Sequence, residues 1–280
     1  MSLVPMKDIL LRAEAGGYGV GAFSVADMEM ILGAVKAAEE LQVPMILQIA
    51  QVRLPFSPLD KIAPMMIAAA KNASIPVAVH FDHGLDVQAI GQALDLGFTS
   101  VMIDASKLSI DENIKITSEV RKMADRYNAS VEAEVGQLGV SEDGTGDASR
   151  IHSDPKEVKR LYEETGVDAI ALSIGNQHGF YKAAPKLNFE ILEEANSLVP
   201  VPLVLHGGSG ISDEDFRKCI SLGITKINVA TATFSAVKDA AKTYLEGEKT
   251  DYFSLSDSMM KGAYKNIKRH MQVFSMKKEI

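Results

Sequence analysis

Cysteine and tryptophan are nearly missing from this 280-residue sequence, which contains one cysteine and no tryptophan. A single cysteine cannot form an internal disulfide, so no disulfide framework exists and a reducing, cytoplasmic setting is expected. Cys219 lies in "EDFRKCISLG", whose apolar spacing is typical of a helix. We interpret it as a core residue rather than a reactive thiol.

Long apolar runs are missing as well, and positive charge is scarce. No segment approaches the roughly 18 consecutive apolar residues of a membrane-spanning helix. The first residues, "MSLVPMKDILLRAEAGG", carry four charged side chains where a signal peptide needs an apolar centre, so no processing is expected. Lys and Arg total 29 against 37 Asp and Glu, a net charge of -8, and no basic stripe occurs. The sequence therefore predicts a soluble protein that binds neither membranes nor nucleic acid.

Short apolar runs of strand length are what the chain does contain, and amphipathic segments with apolar residues at every third or fourth position separate them. The eight runs read VGAFSV, PMILQIA, PVAVHF, SVMIDA, SVEAEVG, DAIALSIG, PLVLHGG and ITKINVAT. Strand and helix repeated eight times over this length predict a (β/α)8 TIM barrel. An open parallel sheet of six or seven strands is the alternative.

The chain shows no linker or low-complexity tract that would divide it. We therefore predict one domain over residues 1–280. After residue 234 the pattern is helical to the end. We expect this C-terminal helical extension to pack on the barrel or on a partner subunit.

Polar residues collect at the carboxyl ends of the predicted strands, where barrel enzymes place their catalytic groups. They are Asp82, His83, Asp104, Glu134, His178, His206 and Asn228. Side chains two positions apart on a strand share a face, so Glu132 is expected beside Glu134, and Lys226 beside Asn228. This distribution predicts an active site at that end of the barrel.

Three of these residues are histidines, each followed by glycine in "DHG", "QHG" and "LHG": His83, His178 and His206. Three neutral imidazoles with one open position form a catalytic zinc site. Alternatively, each histidine makes its own hydrogen bond. The recurrence of the His-Gly pair at three strand ends favours the metal.

The remaining histidines and one lysine call for other interpretations. We expect His80 to support Asp82 from within the barrel, and His152 and His270 to be ordinary surface or loop residues. Lys226 faces the predicted interior, where a Schiff-base nucleophile is conceivable. An ion pair with Glu132 is the favoured interpretation.

Two glycine-rich or small-residue stretches, "HGGSG" after the seventh run and "NVAT" at the end of the eighth, form a second constellation. The loops after strands seven and eight of TIM barrels often hold phosphate through backbone N–H groups. Together with Lys182 in "HGFYK", they predict a phosphorylated small-molecule substrate.

From end to end the chain resembles the class II, metal-dependent fructose-bisphosphate and tagatose-bisphosphate aldolases. The resemblance is carried by GGYGVGAF, HFDHG, SVMIDAS, SVEAEVGQLG, GNQHGFY, PLVLHGGSGIS and KINVAT. It implies a zinc enzyme that reversibly cleaves a ketose 1,6-bisphosphate to dihydroxyacetone phosphate and an aldehyde through a metal-stabilised enediolate. A homodimer or homotetramer is expected.

The family's residue roles fall on matching positions of this chain. The zinc ligands are then His83, His178 and His206, and the proton donor is Asp82. A second divalent ion falls on Asp104 and Glu134. Phosphate contacts fall on Gly179, Lys182, Gly207, Gly208, Ser209, Asn228, Val229, Ala230 and Thr231.

Two further roles are implied by the resemblance. Carbonyls near Gly179 and Gly207 would bind a monovalent cation, Na⁺ or K⁺. Glu142 matches a glutamate proposed to move the C3 proton, and a solvated loop carboxylate is the equal alternative.

Several positions depart from the family's pattern. Ser24 stands where asparagine is usual, Ala50 where a small polar residue often lies, Val140 where a glycine is common, and Ala232 where an acidic residue often follows the threonine. The loop "QVRLPFSPLD" at 51–60 replaces a glycine-rich loop and contributes Arg53. Most of these changes fall on the loops that face the aldehyde half of the substrate.

The identity of the ketose phosphate is therefore left open. Another phosphorylated keto sugar or sugar acid, such as 6-phospho-5-dehydro-2-deoxygluconate, is the alternative substrate. A metal-dependent sugar-phosphate isomerase or epimerase is a different enzyme class with the same needs. A sugar-phosphate-binding barrel that has lost turnover through Ser24 and Ala50 is the non-enzymatic hypothesis.

Overall fold

The computed structural model describes residues 2–138, 151–181, 183–247 and 251–276. Glu142 and Lys182, which the sequence places in the active site, and Val140 lie outside the described residues. Predictions that depend on them stay predictions.

Eight parallel strands pair in chain order, and the first pairs with the last to close a barrel. The strands are β1 (Val20–Ser24), β2 (Met45–Ala50), β3 (Val77–Gly84), β4 (Ser100–Ile103), β5 (Ser130–Val135), β6 (Ala169–Leu172), β7 (Leu203–Leu205) and β8 (Ile224–Val229). Each lies within one of the eight predicted apolar runs or extends it by a few residues. The predicted TIM barrel is confirmed, and the open sheet is wrong.

All helices but the first and the last follow a strand around the outside of the barrel. Within the described residues they are α1 (Met6–Gly16), α2 (Met28–Leu41), α3 (Leu59–Asn72), α4 (Val87–Asp95), α5 (Ile110–Asp125), α6 (Pro155–Thr165), α7 (Phe189–Leu198), α8 (Asp213–Ser221), α9 (Thr231–Leu245) and α10 (Tyr252–Phe274). Local capping fixes several starts: the side chains of Asp27, Ser109 and Ser212 accept backbone N–H bonds at the first turns of α2, α5 and α8. None of the helices in the described ranges is long and apolar enough to cross a bilayer.

The barrel buries apolar side chains on both sides of its wall. Outward-facing strand residues pack against the helices, while a smaller inner cluster fills the lower part of the barrel. The inner cluster consists of Val20, Ala22, Ile46, Ala78, Ala169, Ala171 and Val204, with Met6, Ile9, Leu10 and Ala13 of α1. Because α1 closes the amino-terminal end, access to the interior is from the carboxyl ends of the strands.

The C-terminal region forms two helices rather than one continuous helical pattern. α10 packs on the barrel: the Ser256 hydroxyl donates to Glu29 Oε1 of α2 at 2.7 Å, and Lys268 Nζ to Glu40 Oε1 at 2.7 Å. Packing on the barrel, one of the two predicted positions, is therefore observed, and packing on a partner subunit stays a prediction.

One histidine and the cysteine lie in the core near α10. The prediction of a surface His270 is wrong, because it is 3% exposed between Phe216 and Phe274. It lies one turn before Phe274, so the apolar stripe of α10 includes it, and burial lowers its pKa to about 4. Cys219 is buried as predicted, and burial raises its pKa to about 12.

Candidate metal centre and active site

A local irregularity in β3 aims His83 at the mouth of the barrel. Phe81 pairs with Val101 and Gly84 with Ile103, so β3 has one more residue than β4 between these pairs. His83 itself adopts a left-handed backbone, with φ 43°. Strict alternation would point His83 outward, away from Asp82. The bulge and the strained residue bring both side chains to the interior, as occurs at functional sites.

Glycine after His83 is required by the closeness of the next strand. A Cβ atom on Gly84 would lie 2.5 Å from the carbonyl oxygen of Met102. No larger residue fits without moving β4. The glycine of "DHG" is therefore part of the local backbone conformation that turns His83 inward.

The three histidines of the predicted zinc site lie together. Their ring centroids are 4.6 Å apart for His83 and His206, 4.8 Å for His83 and His178, and 5.9 Å for His178 and His206. One nitrogen from each lies within 4.8 Å of the other two. All three are buried, with His206 completely so.

Carboxylates hold the outer nitrogens of two of these rings. His83 Nδ1 lies 2.8 Å from Asp104 Oδ2, and His206 Nε2 lies 2.7 Å from Glu132 Oε1. Burial raises the pKa of both carboxyl groups, but the facing groups outweigh burial. His83 holds the pKa of Asp104 well below its usual value. Lys226 above all lowers the pKa of Glu132 to about 2. An ionised carboxylate only accepts hydrogen bonds, so each outer nitrogen carries the ring's hydrogen.

The inner nitrogens of the same two rings face each other. His83 Nε2 and His206 Nδ1 are 2.8 Å apart. In neutral rings whose hydrogens point outward, both are bare lone pairs, and they repel unless a proton or a metal cation lies between or beside them. The residues thus fit a metal ion, and carboxylates that orient metal-binding histidines are the usual outer support of such sites.

Protonation of the three rings follows their surroundings. Burial and the nearby His83 lower the pKa of His178 well below its usual value, so this ring is neutral. Burial also opposes charge on His83, yet Asp82 and Asp104 raise its pKa well above the usual value. The field of the carboxylates therefore favours positive charge at the centre of the cluster.

Asp82 is a completely buried carboxylate next to this cluster. Its Oδ2 accepts from Gln48 Nε2 at 3.0 Å and its Oδ1 from Asn228 Nδ2 at 3.2 Å. Burial raises its pKa, but His83 and His80 more than offset burial and hold the pKa well below its usual value. Asp82 is thus an ionised carboxylate, which is the form of the group that can accept a proton.

His80 lies below Asp82 as predicted. Its Nδ1 is 2.7 Å from Ser100 Oγ, and its Nε2 is 3.7 Å from Asp82 Oδ1. The interpretation of His80 as an interior supporting residue is confirmed. His152 is exposed, as predicted.

The predicted ion pair between Lys226 and Glu132 is confirmed. Lys226 Nζ lies 2.8 Å from Glu132 Oε2 and also donates to Asn228 Oδ1 at 2.7 Å. Lys226 is completely buried and its charge is neutralised, which does not suit a Schiff-base nucleophile. The lysine instead orients Asn228, whose amide then points at Asp82.

The residues of the predicted second divalent site also lie together. His83, Asp104 and Glu134 each offer an atom within 4.8 Å of the others. Glu134 Oε2 is buried without a hydrogen-bond partner, and burial with the neighbouring Asp104 raises the pKa of Glu134 well above its usual value. Two adjacent buried carboxyl groups require a proton or a cation between them.

The loops after β7 and β8 meet at the start of α9. Gly208 N–H donates to the Asn228 carbonyl at 2.9 Å, and Ala232 N–H donates to Ser209 Oγ at 2.9 Å. Gly207 has a φ of 67°, and a Cβ there would lie 2.0 Å from the Gln177 carbonyl oxygen. Two hydrogen bonds therefore join the two predicted phosphate loops at the N-terminus of α9.

The other residues predicted to contact phosphate or a cation lie in three different settings. Gly179 has a φ of 80° and faces open space. The Gly207 carbonyl accepts from Tyr181 Oη at 2.9 Å. The Asn228 side chain points into the barrel, so only its backbone and those of Val229 to Thr231 lie along the loop.

Sequence reasoning missed two buried amides. Asn176 Nδ2 donates to the His206 carbonyl at 3.0 Å and thereby joins the loop that carries His178 to β7. Gln48 Nε2 contacts both Asp82 and Ser24, the latter at 3.1 Å. Gln48 was recoverable, since alternation in "PMILQIA" places it on the inner face of β2.

Three of the departures from the family's pattern, Ser24, Ala50 and the loop with Arg53, lie around the same corner of the barrel mouth. Ala50 pairs with Asp82 across β2 and β3. The Arg53 guanidinium lies 5.4 Å from the ring centroid of Phe234 in α9. Gln51 accepts from Leu85 N–H and donates to Asp86 Oδ2, both at 2.6 Å, which fixes the loop after β2 against the loop after β3.

Comparison with known proteins gives consistent matches across the chain. Residues 4–279 match the family described as fructose-bisphosphate aldolase class-II. A fructose-bisphosphate aldolase from Geobacillus stearothermophilus is 40% identical over 255 residues, covering 90% of this chain and 89% of that protein. A 6-phospho-5-dehydro-2-deoxy-D-gluconate aldolase from Halalkalibacterium halodurans is 39% identical over 279 residues, covering 98% and 96%. The crystal structure of the YdjI aldolase from Escherichia coli K12 is 33% identical, covers 97% of each chain and superposes with a TM-score of 0.88.

Proposed function

Because this chain belongs to the class II fructose-bisphosphate aldolase family and is an aldolase, an aldehyde-lyase, we propose that it cleaves a ketose 1,6-bisphosphate at a zinc ion held by His83, His178 and His206. The products are dihydroxyacetone phosphate and an aldehyde, and the reaction is reversible. The observation that carries the zinc assignment is the convergence of the three buried imidazoles, each of which offers one nitrogen within 4.8 Å of the other two. When bound, zinc supplies a fixed positive charge that polarises the ketone and stabilises the enediolate.

The role of Asp82 is proton transfer at the C4 hydroxyl. It is an ionised carboxylate directly beside His83, with each oxygen held by one amide donor. During cleavage it accepts the C4 hydroxyl proton as the C3–C4 bond breaks, and in condensation it returns that proton to the new alkoxide. Glu142 is proposed to move the C3 proton.

The C1 phosphate is assigned to the unit formed by the loops after β7 and β8. Gly207 and Ser209 on one side, and Val229 to Thr231 at the start of α9 on the other, supply backbone groups and a helix N-terminus. Lys182 and Gly179 complete the proposed phosphate contacts. A monovalent cation near Gly179 and Gly207, and a second divalent ion at Asp104 and Glu134, are proposed on the same basis.

A phosphorylated sugar acid is the second candidate substrate, and one finding favours it. The sugar-acid aldolase from H. halodurans matches 98% of this chain, against 90% for the G. stearothermophilus fructose-bisphosphate aldolase, at nearly equal identity. Both substrates contain the same three-carbon phosphorylated fragment. The choice between them rests on the Ser24, Ala50 and Arg53 corner.

Turnover across a panel of substrates tests this proposal. The zinc-loaded protein should release triose phosphate from at least one of fructose 1,6-bisphosphate, tagatose 1,6-bisphosphate and 6-phospho-5-dehydro-2-deoxygluconate. A product of unchanged mass would instead establish an isomerase or epimerase. Binding of these compounds without turnover would support the non-enzymatic barrel, and restoring asparagine at Ser24 and serine at Ala50 would then test its cause.

A further inference from the structure

Gln48 is a buried amide whose donor end is fully used. It lies on β2, is completely buried, and its Nε2 is 3.0 Å from Asp82 Oδ2 and 3.1 Å from Ser24 Oγ. An amide nitrogen has two hydrogens, so both are committed. The Asp82 contact fixes the orientation of the group, because a flipped amide would place its oxygen against an ionised carboxylate.

The acceptor end of the same amide has no partner. Gln48 Oε1 is buried and makes no hydrogen bond in the structure. An orphaned buried acceptor destabilises a fold, and an apolar side chain of the same length would avoid that cost. The presence of an amide here is therefore not explained by packing, whereas its donor end reaches the carboxylate that is proposed to transfer the proton.

We propose that Gln48 is a positioning residue that holds Asp82 in the orientation needed for proton transfer. Gln48 fixes Oδ2 and Asn228 fixes Oδ1, so the carboxylate cannot rotate about its Cβ–Cγ bond. Without the amide, the carboxylate is free to turn toward the three neighbouring imidazoles and whatever cation they hold. Ser24, by accepting the second hydrogen, holds the amide itself in place. This inference rests on the proposed role of Asp82.

A double-mutant cycle tests the inference. Gln48→Met retains the length of the side chain and removes its hydrogen bonds. We expect kcat to fall about tenfold, since a loosely held catalytic group loses part of its orientation, with KM within about twofold and zinc content unchanged. In an Asp82→Ala background, the same change should alter the residual rate by less than about twofold, because a group that acts through Asp82 has nothing left to position.

Several outcomes would overturn the inference. An equal loss in both backgrounds would show that Gln48 acts independently of Asp82, and a raised KM with unchanged kcat would show a substrate contact. Full activity of Gln48→Met also contradicts it. If Asp82→Ala itself retains the wild-type rate, the proposed function of Asp82 fails, which is a separate result.

Two more variants complete the test, one as a matched control and one as a substitute for Gln48→Met. Thr225→Val is the matched control: Thr225 is a buried polar residue on β8 that donates to the Leu203 carbonyl at 3.4 Å, so kcat and KM should not change. If Gln48→Met does not fold, Ser24→Ala removes the hydroxyl that accepts the second amide hydrogen and so loosens the same amide. It should lower kcat about two- to fivefold at constant KM, and an unchanged kcat would contradict the inference.

Discussion

Replacing Asp82 with alanine should lower kcat by roughly 100-fold or more, because the variant loses its general acid and base. Zinc content should stay at the wild-type level, since Asp82 is bonded to Gln48 and Asn228 rather than placed among the inner nitrogens of the histidines. Steady-state kinetics together with metal analysis of the purified variant measure both quantities.

Asp95→Ala is a suitable control for the loss of a carboxylate. Asp95 is exposed at the end of α4, where it accepts from the Tyr127 hydroxyl at 2.5 Å, and its removal should leave kcat unchanged. Loss of zinc together with activity in Asp82→Ala would mean that Asp82 serves the metal. An undiminished rate would mean that another group moves the proton.

Replacing His206 with alanine should remove zinc itself. The His206 ring presents Nδ1 to the centre of the cluster and is held from behind by Glu132. Loss of an outer supporting residue alone typically weakens metal binding about 10- to 100-fold, so loss of a ligand should weaken it by at least about 100-fold. Activity should fall with zinc occupancy, measured by metal analysis after dialysis against zinc-free buffer.

His152→Ala is the matched control, since His152 is exposed outside the cluster and its loss should change neither zinc content nor rate. Circular dichroism and thermal denaturation should show that His206→Ala remains folded. Full zinc occupancy in a folded His206→Ala protein would contradict the ligand assignment.

The barrel was predictable because its strands carry a strong and simple signal. Eight apolar runs correspond to eight strands, and the positions of His206 and Asn228 follow from where their runs end. The Lys226–Glu132 ion pair followed from alternation on neighbouring strands. These features depend on the two-residue alternation of strand side chains and on the order of the apolar runs, both of which a sequence shows directly.

What could not be predicted depends on local departures from those periods. His83 reaches the site only through a bulge and a left-handed backbone, neither of which alternation indicates. His270 is buried because the rings of Phe216 and Phe274 cover it. Histidine is a polar residue, so the sequence alone favoured a surface position. The orphaned acceptor of Gln48 is visible only once all of its neighbours are placed.

The measurement that tests the account most directly is release of dihydroxyacetone phosphate from the best substrate of the panel, before and after removal of metal. The zinc-loaded protein should release it, EDTA should abolish release, added zinc should restore it, and borohydride with substrate should trap no covalent adduct. Release that persists in the metal-free protein, or a borohydride-trapped adduct on Lys226, would contradict a zinc-dependent cleavage at His83, His178 and His206.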